Sequence, residues 1–258
     1  MVTAASINPV SAEALRFVLH GRRHGGRLRP DRRRLLEARL PDLAFGLPAS
    51  GALEPAALFE SPPAEVWLEI GFGSGEHLLA QAHARPDVGI VGCEPYIRGV
   101  ACLLAAIEAA ASRNVRIFTD DARLLLSRLA PASLARVFAL FPDPWPKKRH
   151  HKRRLISAAT LDALARAMAD DAELRIATDH VGYGRWILRH LIAHADFHWC
   201  ARVPADWRRP PPDWPATRYQ GKAEAAGRVP IFLVFRRRRR AGDGVQDAVG
   251  ASISRGKS

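Results

Sequence analysis

The sequence predicts an α/β fold: a mostly parallel, doubly wound sheet of about seven strands with an antiparallel edge. Two observations carry this. Between residues 66 and 195, five short apolar runs alternate with five helical patterns, the order that places helices on both faces of a parallel sheet. Beyond residue 195 come two more strand-like runs, FHWCARV (197–203) and VPIFLVF (229–235), with no helical pattern between them. Two strands without a crossover helix can pair antiparallel.

The elements follow in order. Residues 1–20 carry no clear pattern and read as disordered. Residues 21–64 form a basic lead-in and connector: a short helix around DRRRLLEARL with Pro30 just before it, then a stretch rich in Pro, Ala and Gly. The folded domain is expected over 65–240. VWLEI (66–70) is a buried strand, followed by a glycine loop and a helix to about Ala84. VGIVGC (88–93) is the second strand, with a helix over 97–112. VRIFT (115–119) is the third, and the helix over 121–129 can be capped by Asp120 or Asp121. ARVFALF (135–141) precedes a helix over 153–169, and LRIAT (174–178) precedes one over 181–195. Residues 241–258 read as a disordered tail.

Composition narrows the function. The 258 residues carry 39 Lys+Arg against 26 Asp+Glu, a net charge of +13. The excess is clustered: seven arginines in GRRHGGRLRPDRRR (21–34), six basic residues in KKRHHKRR (147–154), and RRRRR at 236–240. Clustered guanidinium groups match phosphate oxygens, so a nucleic acid is the expected partner. The three cysteines, Cys93, Cys102 and Cys200, form no CxxC pair and read as small buried residues of a reducing compartment. The ten histidines show no metal-binding spacing, so no metal is expected; His77, His180, His190 and His194 read as helix or core residues. Without a signal peptide or a long apolar run, the cytoplasm is the expected location.

Two stretches carry chemistry. EIGFGSGEH (69–77) sets Gly71, Gly73 and Gly75 between a buried strand and a helix. Glycines there permit a tight turn and close approach of a ligand to the backbone. The third glycine comes one residue too early for a dinucleotide fingerprint, which disfavours a nicotinamide dehydrogenase. Glu69 ends the first strand and Glu94 follows the second; carboxylates at those places can accept hydrogen bonds from ribose hydroxyls. This order, with Asp121 after the third strand, resembles the cofactor site of class I S-adenosyl-L-methionine methyltransferases, whose fold is Rossmann-like. The second stretch, FPDPWPKKRHHKRR (141–154), stands at the end of the fourth strand, where open α/β sheets bind ligands. Pro142 and Pro144 fix the backbone on both sides of Asp143, and Trp145 can stack on a base or wall the pocket. The basic run behind it falls at the expected helix start, where positive charge opposes the helix dipole unless an anion covers it.

FPDPWPKKRHHKRR also resembles the signature of the tRNA (guanine-N7-)-methyltransferases of the bacterial TrmB type. GRRHGGRLRPDRRRLL, ATDHVGYGRW (177–186) and PATRYQGKA (215–223) are similar to further segments of that family, so the likeness covers roughly residues 20–236. The resemblance implies an enzyme that methylates N7 of a variable-loop guanine in tRNA, with S-adenosyl-L-methionine as donor. It implies donor contacts at Glu69, Gly71, Gly73, Gly75, Glu94, Asp121 and Asp143, with Asp143 the active-site acid. It implies substrate contacts at Lys147, Asp179, Thr217, Arg218, Tyr219 and Gln220. It implies RNA contacts at Arg149, His150, His151, Lys152, Arg153 and Arg154. The family usually has Glu where this chain has Gln220, which removes a charge. Asp179 has a second reading as the cap of the helix that follows. Two other functions fit parts of the pattern. An amino-group methyltransferase of RNA or DNA carries an acid-Pro-Pro-aromatic motif at the same strand end. A non-catalytic RNA-binding protein needs only the basic clusters, but does not explain Glu69, the three glycines and Asp143.

Overall fold

In the computed structural model, the structure describes residues 23, 25–215 and 218–241. Residues 242–258 of the expected tail, and residues 1–22 and 24, lie outside it.

The lead-in forms α1 (Pro30–Ala38) and α2 (Leu40–Leu43). Pro30 stands in the first turn of α1 rather than before it, where its fixed φ suits a helix start and its missing N–H costs nothing. The connector is less irregular than its composition implied. It holds a 3-10 turn at Pro55–Leu58, and isolated parallel bridges tie Ala44 to Ile117 and Leu53 to Leu129.

The alternating region is as expected: β1 (Glu65–Ile70), α3 (Glu76–Ala84), β2 (Val88–Cys93), α4 (Ile97–Ala110), β3 (Val115–Phe118), α5 (Ala122–Arg128), β4 (Leu134–Leu140), α6 (Ala158–Ala167), β5 (Met168–Thr178) and α7 (Val181–Ala193). Three expectations are corrected. Helix α6 begins at Ala158, not near 153. Ser157 caps it, its Oγ accepting from Thr160 N at 3.3 Å, whereas no residue of the like-charged run offers a capping oxygen. The run instead forms a separate 3-10 turn over Lys148–Arg153, so its charges do not crowd the start of α6. The cap of α7 is His180, whose Nδ1 accepts from Tyr183 N at 3.1 Å; Asp179 lies one residue earlier. Finally, β6 (Phe197–Trp199) is only three residues long, and two short helices, α8 (Ala205–Arg208) and α9 (Arg218–Ala225), stand between it and β7 (Ile231–Arg237).

The strands form one sheet in the order β3-β2-β1-β4-β5-β7-β6, parallel except for β7, which runs antiparallel to both β5 and β6. Chain order reverses between β1 and β4, which pair from Trp67↔Arg136 to Ile70↔Ala139. The crevice outside the carboxyl ends of these two strands is the switch point where such sheets bind ligands. One face packs Leu125, Leu161, Leu164 and Ile187 from α5, α6 and α7. The other packs Leu43, Leu78, Val100 and Leu103 from α2, α3 and α4. Among the cysteines, Cys93 is buried, while Cys102 and Cys200 are only half-buried.

The RRRRR run closes the fold. Arg237 is buried and donates to Asp170 Oδ1 at 2.8 Å, and Arg239 donates to Asp171 Oδ2 at 2.8 Å. Arg240 reaches the carbonyls of Ala165, Arg166 and Met168 at 3.2, 3.0 and 2.8 Å. Those carbonyls end α6, where the helix dipole favours a cation. Arg237, Arg239 and Arg240 of this cluster therefore serve packing.

Candidate active site

The glycine loop is built from left-handed backbone. Gly71, Gly73 and Gly75 have φ of 74°, 59° and 83°, which side-chain-bearing residues rarely adopt. The Gly73 N–H donates to Glu94 Oε2 at 2.9 Å, and the Tyr96 N–H donates to Glu94 Oε1 at 2.9 Å. One carboxylate thus ties the loop after β1 to the turn after β2. Burial pushes the Glu94 carboxyl up from its ordinary range; the two backbone donors oppose this, and nearby Asp143 and Glu69 add to it. Helix α4 approaches the loop closely because residue 99 is glycine: a Cβ there would stand 2.2 Å from the Gly73 carbonyl oxygen.

Glu69 is 2% exposed and is held by His77, Oε2 to Nδ1 at 2.7 Å. The His77 ring packs edge-on against Phe138 and near Trp214, at 4.7 and 5.6 Å between centroids. Glu69 and Gly75 thus form the scaffold behind the loop, while Gly71, Gly73 and Glu94 line a cavity of about 670 Å³. The ends of β1 to β4 meet around this cavity: Ile70, Cys93, Asp121 and Leu140 with the loops that follow them. The volume lies in the range of about 300–1,000 Å³ usual for small-molecule sites. Beside Glu94 the lining is apolar at Ile70, Cys93 and Ala122. Asp121 caps α5, and both its oxygens accept from the Arg123 guanidinium. Burial pushes the Cys93 thiol up, and it donates to the Asp120 carbonyl at 3.1 Å.

The FPDPW loop forms the remaining wall. Phe141 and Trp145, the residues before Pro142 and Pro146, have φ of 52° and 41°. Each such non-glycine residue costs on the order of 1–3 kcal/mol, so the surroundings must hold the loop in place. Arg154 does so. It is 5% exposed, and its Nε donates to the Pro144 carbonyl at 2.9 Å. Its guanidinium lies over the rings of Tyr183 and Trp186, at 5.1 and 4.7 Å. On the outer side Arg153 lies 5.0 Å over Trp145, and His150 meets that indole edge-on at 5.8 Å. Asp143 is exposed and faces the cavity.

Comparison with known proteins decides the family. A family model described as "Putative methyltransferase" matches residues 63–233. The chain is 50% identical over 227 residues to a tRNA (guanine-N(7)-)-methyltransferase of Rhodospirillum rubrum, covering 87% of this chain and 89% of that protein. It is 48% identical over 232 residues to one of Paramagnetospirillum magneticum, covering 89% and 96%. The chain belongs to the tRNA (guanine-N(7)-)-methyltransferase family. A relative from Chelativorans sp., 47% identical, covers 83% of this chain and 93% of that protein.

Within this methyltransferase the residues expected to meet RNA divide. Arg149 and Lys152 are exposed on the 3-10 turn; His150, His151 and Arg153 are half-buried. Arg154 is corrected: its guanidinium is turned inward as the clamp of the FPDPW loop, because two carbonyls and two rings offer it more than solvent does. Lys147 is exposed, and its carbonyl accepts from His150 N at 2.7 Å. Of the expected substrate residues, Thr217 lies outside the described residues. Arg218, Tyr219 and Gln220 open α9, and Gln220 is half-buried. Asp179 accepts from Arg228 Nε at 2.6 Å, which ties the end of β5 to the segment after α9.

Sequence reasoning missed what anchors the chain ahead of α9. Just ahead of it, Asp213 accepts from Arg175 at 2.7 Å and Arg136 at 3.2 Å, while its carbonyl accepts from Gln81 at 3.0 Å. Trp214 is buried between His77 and Phe232 and packs with Ala177, Leu140 and Phe141. This latch joins α3, through His77, to the ends of β4 and β5 and to Phe232 of β7 at one indole. The one signal for it was PPPDWP, a stiff run holding an acid and an aromatic.

Proposed function

We propose that this chain transfers a methyl group from S-adenosyl-L-methionine to N7 of a variable-loop guanine in tRNA. The observation that carries the reading is Asp143, held in a strained, clamped loop where four strand ends meet, beside a turn of exposed basic residues. When bound, the donor supplies an electrophilic methyl group on a sulfonium. Gly71, Gly73 and Glu94 hold it, with Glu94 accepting from the ribose and the apolar strand ends covering the base. Residues 65–240 are the unit that carries the reaction.

Guanine N7 has an in-plane lone pair and no proton to lose, so the chain needs no general base here. Its contribution is placement and electrostatics. Asp143 and Asp179 accept from the guanine N1–H and amino group and so turn N7 toward the methyl. A carboxylate fixed nearby also favours the positive charge that passes to the guanine. Arg149 and Lys152 take backbone phosphates, which position the RNA without reading its sequence. No described helix is long and apolar enough to cross a membrane, and the reading places the enzyme with its tRNA in the cytoplasm.

The test is incubation with methyl-labelled donor and unmodified bulk tRNA, followed by borohydride reduction and aniline cleavage. Labelled tRNA that cleaves in the variable loop is the expected result. Label without cleavage would instead indicate an amino-group methyltransferase, and bound but unlabelled RNA a binding protein.

A further inference from the structure

Of the three arginine clusters, RRRRR is engaged by internal partners. A different set of arginines stands free near the site. Helix α7 begins three residues after β5 ends, at the same rim as Asp143 and Asp179. Its buried side is Tyr183, Gly184, Ile187 and Leu191. At 100° per residue the opposite side is Val181, Arg185, Arg189 and Ile192, all within about a quarter of the helix circumference. All four are exposed, Val181 at 67% and Ile192 at 61%. Among the described residues, neither Arg185 nor Arg189 makes an ion pair or a hydrogen bond through its side chain.

This stripe is continuous with the basic 3-10 turn. His151 meets Trp186 edge-on at 5.3 Å, and Trp186 stacks on His190 at 4.2 Å. Arg154 lies over that same indole and holds the FPDPW loop. The half-buried ladder fixes α7 against the turn that carries Arg149 and Lys152. Arg185 and Arg189 are four residues apart, about 6 Å along the axis. They line a track leading away from the pocket mouth.

We propose that the exposed face of α7 is a second phosphate-binding track, on which Arg185 and Arg189 hold the RNA backbone beside the target nucleotide. The partner is the tRNA substrate, so the proposal rests on the function given above. Two guanidinium groups that pair with no described carboxylate fit a polyanion.

The test is the salt dependence of tRNA binding for the wild type and for Arg185→Gln/Arg189→Gln. Glutamine keeps helix propensity and removes only charge. Each lost phosphate contact lowers the slope of log K against log salt by about 0.7–0.9, so the double variant should fall by about 1.4–1.8. Donor affinity and thermal midpoint should stay at wild-type values. Arg113→Gln/Arg128→Gln, the same charge change at the end of the sheet where β3 and β4 begin, should leave the slope nearly unchanged. An equal fall in both double variants would overturn the proposal in favour of general net charge. An unchanged slope for the α7 variant, with wild-type protein still methylating tRNA, would overturn it while leaving the function intact. A changed sedimentation coefficient of the free α7 variant, with an unchanged slope, would make the stripe a contact between copies of this chain. If wild-type protein did not bind tRNA, the functional reading itself would fail.

Discussion

At the scale of single residues, the site separates groups that face the cavity from groups that hold them in place. Asp143→Ala should lower kcat by about 10²–10³-fold and change donor and tRNA affinity little, as measured by single-turnover kinetics and equilibrium binding. A matching loss of tRNA affinity would make Asp143 chiefly a binding group. Arg154 is the contrasting case. Arg154→Ala removes charged donors to a half-buried carbonyl and two cation–π contacts, so it should destabilise the fold by about 2–4 kcal/mol in denaturant titration. The salt slope of RNA binding should not move, whereas Lys152→Gln should lower it by about 0.7. The acid was legible in the sequence because prolines bracketed it. The clamp was not: Arg154 ends a run of look-alike charges, and only the tertiary positions of Tyr183 and Trp186 separate it from Arg149.

At the scale of elements, the glycine loop and its neighbours read well because each strand-to-helix unit is local in sequence. Period, cap and glycine spacing all lie within a dozen residues of one another. The Trp214 latch did not read, since the indole finds its partners on α3, β4, β5 and β7. Trp214→Ala should cut kcat/KM for tRNA at least tenfold with donor affinity near wild type, and Trp214→Phe should restore most of it. A loss of donor binding equal to the loss of tRNA turnover would mean the indole supports the whole sheet and not the tRNA side alone. Glu94 gives a second check. Its folded carboxyl titrates above the unfolded value of 4.5, so its contribution to apo stability is complete below that pH and is lost as pH rises through the folded value. Bound donor should offset this, so stabilisation by the donor should grow as pH rises from about 4 toward neutrality.

At the scale of the molecule, charge does two jobs that composition cannot separate. Net charge and clustering pointed to a nucleic-acid partner, yet Arg237 and Arg240 of the arginine run tie the end of β7 to α6. Arg237→Ala should cost about 2–3 kcal/mol of stability and leave the salt slope of tRNA binding unchanged. The opposite face of the sheet, where Arg136 lies over Trp67 and Arg175 over Phe138, sets the acid limit. Burial alone would raise the carboxyls of Glu173 and Asp213, but Arg175 and Arg136 outweigh it and hold both below the ordinary range. Their stabilising effect is present above about pH 4–5 and is lost as pH falls through the depressed values, so unfolding midpoints should drop steeply below pH 4.

The bridge from Ala44 to Ile117 has a consequence for how this protein behaves in a crowded solution. β3 is one border of the sheet, and Phe45 N donates to the Ile117 carbonyl at 3.3 Å, so the connector occupies a backbone site that another chain would need. The opposite border, β6, is three residues long, and the Arg238 side chain covers the Phe197 carbonyl at 3.2 Å. An open row of amides invites strand addition and aggregation. Here a loop and a cation blunt the two borders, which leaves the basic rim, and not the sheet, as the surface that others meet.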